Sequence, residues 1–376
     1  MNRNSLRVLA LVTDAFGGHG GISQYNCDLL SSLAACESIS QVIVLPRKTA
    51  TSPGELPARL RQLCPVQNKF AFSFSALAAA RAHGPIDVIF CGHLFMAPLA
   101  ASIAKLVRAQ LWVQVHGFEA WSELSTLHRR SVETAALVTS VSRYTRRRLL
   151  AWVAIEHSRV KVLPNTVDKR FHPGPKPGYL IERHALYGAQ VLITVSRLTS
   201  WDRYKGQDRI IRTLPHILAR QPDAVYLIVG DGDDRPRLEA LAAEFGVSQK
   251  VRFTGAVTRE ELPDYFRLAD VFVMPSTGEG FGIVFLEAMA SGLRVIGGNQ
   301  DGSLDVLCGS PLAVTVDPDS SEDLASAILA AFDSPACRPD GIGRFGVHHF
   351  KQHLDALLQT IVLPNDNDAK AVGSVA

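Results

Sequence analysis

One segment, PSTGEGFGIVFLEAM at 275–289, places two acidic residues among glycines and apolar side chains. Glu279 lies in the glycine-rich part, and Glu287 follows eight positions later in the helix that this loop is expected to open. Carboxylates accept hydrogen bonds from sugar hydroxyls, whereas glycine amides and the first N–H groups of a helix bind an anion such as phosphate. Helix capping would explain Glu279 alone, but an acid in an otherwise apolar helix is costly unless it is paired. The segment therefore predicts a site for a ligand that carries hydroxyl and phosphate groups.

Two cations follow a different apolar run. Arg197 ends VLITVSR at 191–197, and Lys205 comes eight residues later. Arginine binds phosphate oxygens through its planar fork of N–H groups, and lysine acts as a point charge, so the two could hold a diphosphate. A solvated, charged loop is the alternative, because isolated cations are common on protein surfaces.

Two further candidates stand in the first half of the chain. The segment DAFGGHGGISQYNCDLL at 14–30 has Gly20 and Gly21 where a helix is expected to begin, which lets the backbone approach a phosphate. Its spacing matches neither G-x-G-x-x-G nor a P-loop, so no dinucleotide fingerprint is predicted, and a flexible turn is the alternative. His116 ends another apolar run, QLWVQVH at 110–116, where a lone histidine is more often structural.

These residues follow short apolar runs that alternate with helix-like stretches. Examples are RVLALVT at 7–13 and DVIFCG at 87–92 in the first half, and AVYLIVGDG at 224–232 and VFVMPS at 271–276 in the second. Continuous apolar strands separated by helices indicate parallel sheets that are covered on both faces. The sequence therefore predicts an α/β fold of two doubly wound, Rossmann-like domains, whose ligands bind beyond the carboxyl ends of the strands.

The alternation breaks between the two halves. A stretch rich in proline and glycine predicts an interdomain linker at 171–186. The first domain is then expected at 1–170 and the second at 187–345. A C-terminal helix is expected at 346–363, packing back on the first domain, and the small polar residues at 364–376 are expected to be disordered.

Composition limits the classes of function. With 376 residues, 47% of them hydrophobic, the chain is long enough for two domains with ordinary cores. A formal net charge of +3 does not indicate a nucleic-acid binder, which usually presents a strongly basic face. The six cysteines form no C-x-x-C pair, so neither a zinc nor a redox site is predicted. No apolar run reaches the length of a membrane span, about 20 residues, and no signal peptide is evident, which predicts a cytoplasmic protein.

The chain resembles the retaining glycosyltransferases of family 4, and the resemblance covers nearly its whole length. Five motifs occur in the family's order: VSRL at 195–198, YKG at 204–206, VGDGDDRPRLE at 229–239, FTGAV at 253–257 and the E-x7-E segment EGFGIVFLE at 279–287. The resemblance implies the GT-B fold, in which two facing Rossmann-like domains enclose a cleft.

The resemblance also implies a role for each candidate residue. Glu279 would bind hydroxyls of the transferred sugar, and Glu287 would bind the ribose of the donor. Arg197 and Lys205 would hold the diphosphate, and His116 would face the reacting sugar. Backbone groups near the donor would be those of Gly20, Gly21, Gly280, Phe281, Gly282 and Ile283.

The implied activity is transfer of a hexose, mannose or glucose, from a GDP- or UDP-sugar with retention of anomeric configuration. The acceptor would be a glycan or a polyprenyl-diphosphate-linked molecule in exopolysaccharide or lipopolysaccharide assembly. Neither a metal nor another cofactor is expected, because side chains and amides would neutralise the departing diphosphate, and the acids at 231–233 are expected to form a turn. No acid is clearly placed as a nucleophile, which favours front-face attack.

Two other functions compete with this interpretation. A nucleotide-sugar epimerase of GT-B type is one alternative, which the lack of an NAD fingerprint disfavours. A non-catalytic carbohydrate-binding protein is the other, which the joint presence of the charged candidates and His116 disfavours.

A basic stretch, SRYTRRRLLAWV at 142–153, predicts a peripheral contact with the inner face of the cell membrane. Arg146, Arg147 and Arg148 stand beside leucines and a tryptophan, as in a helix that lies on an anionic lipid surface. An ordinary solvated helix face is the alternative.

Overall fold

A computed structural model describes residues 5–334 and 341–362 of the chain. Its contacts divide the chain into two compact units. The first unit runs to Thr166 and includes the C-terminal helix from Val347, and the second covers Val167–Gly346. Among the residues described, every helix falls short of the length and apolarity that a bilayer span requires.

Seven parallel strands form the sheet of the first unit. They are β1 (Leu6–Val12), β2 (Ile39–Pro46), β3 (Leu60–Gln62), β4 (Val88–Cys91), β5 (Gln110–Val115), β6 (Leu137–Ser140) and β7 (Val160–Val162). Across the sheet their order is β3-β2-β1-β4-β5-β6-β7. Strands β2 and β3 lie on one side of β1, and the chain then crosses to β4, which pairs with the other side of β1. The central strands are buried, which explains why their sequences are continuous apolar runs.

Helices surround this sheet. They are α1 (Gly21–Ala35), α2 (Lys69–Ala82), α3 (Ala97–Val107), α4 (Thr126–Glu133), α5 (Arg143–Leu150) and the C-terminal helix (Val347–Val362). Side chains cap the starts of α2, α4 and α5, because they satisfy N–H groups that have no partner within the helix. The cap of α4 is Ser125, which accepts from the His128 N–H. The Asn68 side chain accepts hydrogen bonds from the first turn of α2, and the Ser142 hydroxyl does the same for α5.

The C-terminal helix packs within the first unit. Its Phe350 ring lies edge-on to the ring of Tyr25 in α1, with 6.3 Å between the centroids, and Leu354 and Leu358 are buried. The residues expected to form a disordered tail, 364–376, lie outside the described part of the chain.

Six parallel strands form the sheet of the second unit. They are β8 (Gln190–Val195), β9 (Ala224–Val229), β10 (Val251–Gly255), β11 (Val271–Met274), β12 (Arg294–Gly298) and β13 (Ala313–Val316). Their order is β10-β9-β8-β11-β12-β13. Strands β9 and β10 lie on one side of β8, and the chain then crosses to β11, which pairs with the other side of β8. The prediction of an α/β fold with two doubly wound sheets is confirmed.

The helices of this unit are α6 (Gly178–His184), α7 (Gln207–Leu218), α8 (Arg235–Glu244), α9 (Leu262–Leu268), α10 (Ile283–Ala290), α11 (Leu304–Leu307) and α12 (Ser321–Phe332). Helices α7, α8 and α12 bury leucine and isoleucine side chains in one core together with strands of the sheet.

The stretch expected as a linker, 171–186, differs from that expectation. All of it belongs to the second unit, and its last part forms α6, which begins directly after Pro177. Leu180 of this helix is buried, and the Tyr179 hydroxyl donates a 2.7 Å hydrogen bond to Asp264 of α9. The prolines stand before the helix, where they are tolerated, so the following residues remain able to form a helix and to pack.

A buried polar network lies beneath the carboxyl end of β5. The Trp112 indole N–H donates to the Thr139 hydroxyl at 2.7 Å, and this hydroxyl donates to the side-chain carbonyl of Gln114 at 2.5 Å. The same carbonyl accepts a 2.9 Å hydrogen bond from the Tyr25 hydroxyl. The network therefore ties α1, β5 and β6 together next to His116, which follows β5.

Replacing the acceptor at the centre of this network should destabilise the first unit. Gln114→Leu is expected to lower the free energy of unfolding by about 1–3 kcal/mol, because the hydroxyls of Tyr25 and Thr139 lose a buried acceptor. Urea unfolding followed by tryptophan fluorescence measures this, since three of the four tryptophans lie in the first unit. Gln110→Leu, at the exposed start of the same strand, is the control and should change stability by less than about 0.5 kcal/mol. Equal effects of the two substitutions would contradict the role of the network.

Candidate functional site

The switch point of the second sheet carries most of the residues that the sequence singled out. The loop 196–206 follows β8, and the loop 275–282 follows β11. Because these two strands are neighbours and parallel, both loops emerge at the same edge of the sheet. Ligands of open α/β sheets bind at such a point.

Lys205 and Glu279 form a hydrogen-bonded ion pair between these two loops. Their side chains are only 13% and 12% exposed, so water screens the pair weakly. The Lys205 ammonium also lies 5.3 Å from the centre of the Tyr204 ring. The structure thus brings together a cation and a carboxylate that are 74 positions apart in the chain.

Arg197 does not join this pair. Its guanidinium contacts the buried carboxylate of Asp202 at 3.2 Å, and the Thr199 hydroxyl donates to the same carboxylate at 2.9 Å. The Arg197 side chain is nevertheless 73% exposed. Asp202 therefore fixes one side of the guanidinium and leaves most of it accessible to an anionic ligand.

The acidic turn after β9 supports the Arg197 loop. A Cβ atom at Gly232 would lie 2.2 Å from the Leu198 carbonyl oxygen, so only glycine permits this close approach. The Asp233 carboxylate accepts a 3.1 Å hydrogen bond from the Ser200 N–H, and Asp234 accepts one of 2.8 Å from Arg203. These acids serve the loop as hydrogen-bond acceptors. Within the described residues, no cluster of three or more histidine, cysteine or acidic side chains suits a metal ion.

The glycine-rich loop after β11 is held from below by Asp301. This side chain is fully buried, and its Oδ2 accepts hydrogen bonds from the Ser276 hydroxyl and the Glu279 N–H, both at 2.7 Å. Its Oδ1 accepts from the N–H and the hydroxyl of Ser303, at 2.9 and 2.6 Å. Burial raises the pKa of Asp301, and these hydrogen bonds act in the opposite direction.

Backbone contact reinforces this support. The Gly302 N–H donates to the Glu279 carbonyl at 2.8 Å, and a Cβ atom at Gly302 would lie 2.1 Å from the Gly280 carbonyl oxygen. The two glycine-rich segments therefore touch without intervening side chains. Sequence reasoning missed Asp301, although GGNQDGS at 297–303 shows an acid among glycines after an apolar strand, the same signal that singled out Glu279.

Helix α10 begins with no side-chain cap. Gly282 precedes it in the left-handed region at φ 79°, and a Cβ atom there would lie 2.5 Å from the Phe285 ring. Because no side chain caps it, the first turn from Ile283 presents N–H groups and the positive end of the helix dipole to an anion. Phe281 is buried, with its ring 5.8 Å from that of Phe345. The loop ending in Gly280, Phe281 and Gly282 is therefore fixed by packing.

Glu287 lies one turn further along α10 and is half-buried. The negative charge of Glu287 acts on Arg170. A hydrogen bond from Arg170 to Asp168 at 2.8 Å raises the pKa of the guanidinium, and the negative charge of Glu287 adds to this shift. Arg170 was not singled out from the sequence, and its link to Glu287 depends on the packing of distant segments.

In the first unit, His116 follows β5 and is held on several sides. Its backbone N–H donates to the Glu119 carboxylate at 2.5 Å, and its ring Nε2 lies 3.0 Å from the Gly92 carbonyl oxygen. The ring lies edge-on to that of Tyr25, with 5.1 Å between the centroids. Burial lowers the pKa of His116 to about 4, so the ring is neutral at pH 7. A carbonyl oxygen only accepts, so the proton is on Nε2, and Nδ1 is left as an acceptor.

The glycines of the loop before α1 differ in what the structure requires of them. Gly17 is required sterically, since a Cβ atom there would lie 2.2 Å from the Thr51 carbonyl oxygen. Gly20, at φ 91°, has no described atom within 4 Å of the corresponding position and is exposed, and α1 begins at Gly21 without a side-chain cap. The first N–H groups of α1 are therefore not capped by a side chain, and binding of an anion by Gly20 and Gly21 stays a prediction.

Three of the four arginines of α5, those predicted to contact a membrane, have partners within the protein. Arg146 donates to the backbone carbonyls of Val160 and His157, at 2.7 and 3.0 Å. Arg148 donates to the Trp121 carbonyl at 3.2 Å, and the Arg147 guanidinium lies 5.5 Å from the centre of the Tyr144 ring. Arg146 and Arg148 thus bind α5 to neighbouring segments, although Arg148 is exposed. Arg147 is also exposed, and the described hydrogen bonds give its guanidinium no backbone acceptor.

Comparison with known families matches both halves of the chain. Residues 182–340 match the family described as "Glycosyl transferases group 1", and residues 20–166 match "Glycosyl transferase 4-like domain".

Two similar proteins are named as mannosyltransferases. The chain is 35% identical over 281 residues to a GDP-mannose-dependent alpha-(1-6)-phosphatidylinositol monomannoside mannosyltransferase of Mycolicibacterium smegmatis, covering 70% of this chain and 71% of the relative. It is 30% identical over 341 residues to the protein of that name from Mycobacterium tuberculosis, covering 86% and 88%.

Solved structures support the fold. The HepE protein of Anabaena in complex with UDP and glucose has a TM-score of 0.76 at 20% identity, covering 94% of this chain and 99% of that one. Sucrose-phosphate synthase from Thermosynechococcus elongatus has a TM-score of 0.71 at 23% identity, covering 95% and 99%. At these identities the likeness concerns the fold, which is GT-B. With the two family matches and the mannosyltransferase relatives, it shows that the chain belongs to the group 1, family 4-like glycosyltransferases and is a hexosyltransferase.

Proposed function

We propose that this hexosyltransferase is a retaining mannosyltransferase that takes mannose from GDP-mannose and transfers it to a lipid-linked acceptor. The two mycobacterial relatives support this choice, because their names give GDP-mannose as the donor and a phosphatidylinositol mannoside as the acceptor. Retention follows from the resemblance to family 4. An acceptor of this kind would place the protein on the inner face of the cell membrane, with no nucleic acid among its partners.

The observation that carries the proposal is the shielded ion pair of Lys205 and Glu279 at the switch point of the second unit. Breaking the bond between the anomeric carbon and the diphosphate builds negative charge on the leaving group and positive charge on the sugar. An ammonium and a guanidinium fixed beforehand stabilise the first charge, as Lys205 and Arg197 would do together with the start of α10. The Glu279 carboxylate would accept hydrogen bonds from hydroxyls of the sugar, and its negative charge would stabilise the positive charge that develops there.

Front-face attack suits these contacts. The Glu279 carboxylate is bound to Lys205, and its backbone is bound to Asp301, an arrangement that serves hydroxyl binding better than nucleophilic attack. In the proposed step the acceptor oxygen bonds to the anomeric carbon as the bond to the diphosphate breaks. The proton of the acceptor hydroxyl passes to an oxygen of the leaving phosphate.

Donor use tests the proposal directly. Purified protein with GDP-mannose and a phosphatidylinositol mannoside acceptor should release GDP and form an α-linked product, whose anomeric configuration NMR reports. UDP-glucose serves as the comparison donor and should give slower release. An inverted product, or release of UDP in preference to GDP, would contradict the proposed reaction.

The ion pair should be essential for turnover. Lys205→Ala and Glu279→Ala are each expected to lower kcat at least about a hundredfold, which corresponds to about 2.7 kcal/mol of transition-state stabilisation. The control is Lys176→Ala, which removes a 2.7 Å ion pair with Asp270 at the opposite, amino end of β11. Turnover close to wild type in a Lys205 or Glu279 variant, or an equal loss in the Lys176 variant, would remove the pair from the proposed mechanism.

Chelation should leave transfer unchanged. We expect full activity in excess EDTA, because Lys205, Arg197 and helix amides would neutralise the leaving diphosphate without a metal ion. Initial rates with and without EDTA, before and after addition of Mg²⁺ or Mn²⁺, measure this. A loss of activity that either ion restores would show that a metal takes part, and the acids at 231–233 would then be the first residues to test.

A further inference from the structure

Helices α2 and α3 present an apolar face to solvent in the first unit. Phe70 and Phe74 of α2 are 87% and 75% exposed, and Leu106 of α3 is 56% exposed. A groove of about 360 Å³ runs between the two helices and is lined by Phe74, Leu77, Leu99 and Leu106 among others. These five residues define what we call the α2–α3 face. Apolar patches of this kind on a soluble surface mark interaction sites.

The fold does not explain the exposed phenylalanines. The core side of α2 is already occupied by Phe72, Ala76 and Ala79, which are buried. Phe70 and Phe74 are four positions apart and share the opposite side of the helix. The two aromatic side chains on that side do not contribute to the core. Only contact with another molecule would remove them from water.

The charged side chains of α2 and α3 themselves are all basic. From residue 56 to residue 118 the sequence contains a single acid, Asp87, whose carboxylate accepts a 2.8 Å hydrogen bond from the Arg7 N–H. Exposed basic residues lie on both helices, Lys69 at the start of α2 and Lys105 beside Leu106 in α3. Phenylalanine and leucine bordered by lysine are the composition of helices that lie in a lipid interface.

We propose that the α2–α3 face docks on an anionic lipid bilayer, with Phe70, Phe74 and Leu106 inserted below the headgroups and the lysines bound to headgroup phosphates. This rests on the lipid-linked acceptor of the proposed function and deepens it by naming the surface. A second copy of the chain fits less well, because a symmetric contact would bring the basic borders of both copies together.

This surface is different from the one that composition alone indicated. On α5, Arg146 and Arg148 bind backbone carbonyls of the protein and contribute to its packing. On α2 and α3 both the apolar and the basic side chains are exposed. Binding through inserted aromatic side chains is also less sensitive to salt than binding through charge alone.

Co-sedimentation of the full chain with vesicles tests the proposal. Wild-type protein should bind vesicles that contain phosphatidylglycerol more strongly than vesicles of phosphatidylcholine, and part of this binding should survive high salt. The double substitution Phe70→Ser with Phe74→Ser should lower the partition coefficient about tenfold or more and abolish the salt-resistant part. Lys69→Gln with Lys105→Gln should remove the preference for the anionic lipid.

Two control variants make the outcome specific. Tyr187→Ser removes an aromatic side chain of the second unit that is 73% exposed, and Arg147→Gln removes an exposed arginine of α5; neither should change binding. Unchanged binding of the double phenylalanine variant, or a loss in the Arg147 variant alone, would overturn the proposal. Self-association that the phenylalanine changes abolish, without vesicle binding by the wild type, would assign the face to a second copy. Calorimetry measures the binding of GDP-mannose in a separate experiment. If GDP-mannose does not bind, the proposed function fails, but the vesicle-binding result still tests the docking surface.

Discussion

The candidate site depends on the hydrogen bonds that the buried carboxylate of Asp301 accepts. This carboxylate accepts four hydrogen bonds, two from the glycine-rich loop and two from Ser303, and it lies beneath the backbone of Glu279. A glycine-rich loop loses much conformational entropy when it is ordered, so its shape requires contacts of this strength. Without them the Glu279 carboxylate would have no fixed position from which to meet Lys205.

The loop that carries Lys205 is ordered from the other side by the same means. Glycines after β9 let the backbone approach closely, and the acids there bind Ser200 and Arg203. The two loops then meet directly, since the Thr277 N–H donates to the Tyr204 carbonyl at 3.0 Å. The charges at the switch point are therefore set in place by neutral contacts and buried acids before any substrate arrives, which is what electrostatic stabilisation of a leaving group requires.

The first unit prepares its candidate residue differently. His116 is kept neutral by burial, and the network of Gln114, Thr139 and Tyr25 lies directly beneath it. A neutral imidazole with Nε2 bound to a carbonyl offers Nδ1 to a hydroxyl and adds no charge to the site. The proposed lipid-facing helices belong to this same unit. One sheet and its helices would therefore both contact the membrane that contains the acceptor and position His116.

The sequence by itself determined the alternation of strands and helices, the two doubly wound sheets, and the loops in which Arg197, Lys205, Glu279 and His116 stand, because these follow from local periodicity and glycine placement. Only the tertiary structure revealed Asp301, whose contact with Glu279 spans 22 positions, and the backbone partners of Arg146. It also showed that α6 packs on α9, and that Phe70 and Phe74 face solvent while Phe72 is buried. The physical reason is that burial and long-range hydrogen bonds depend on which segments meet in space, and local pattern carries no information about that.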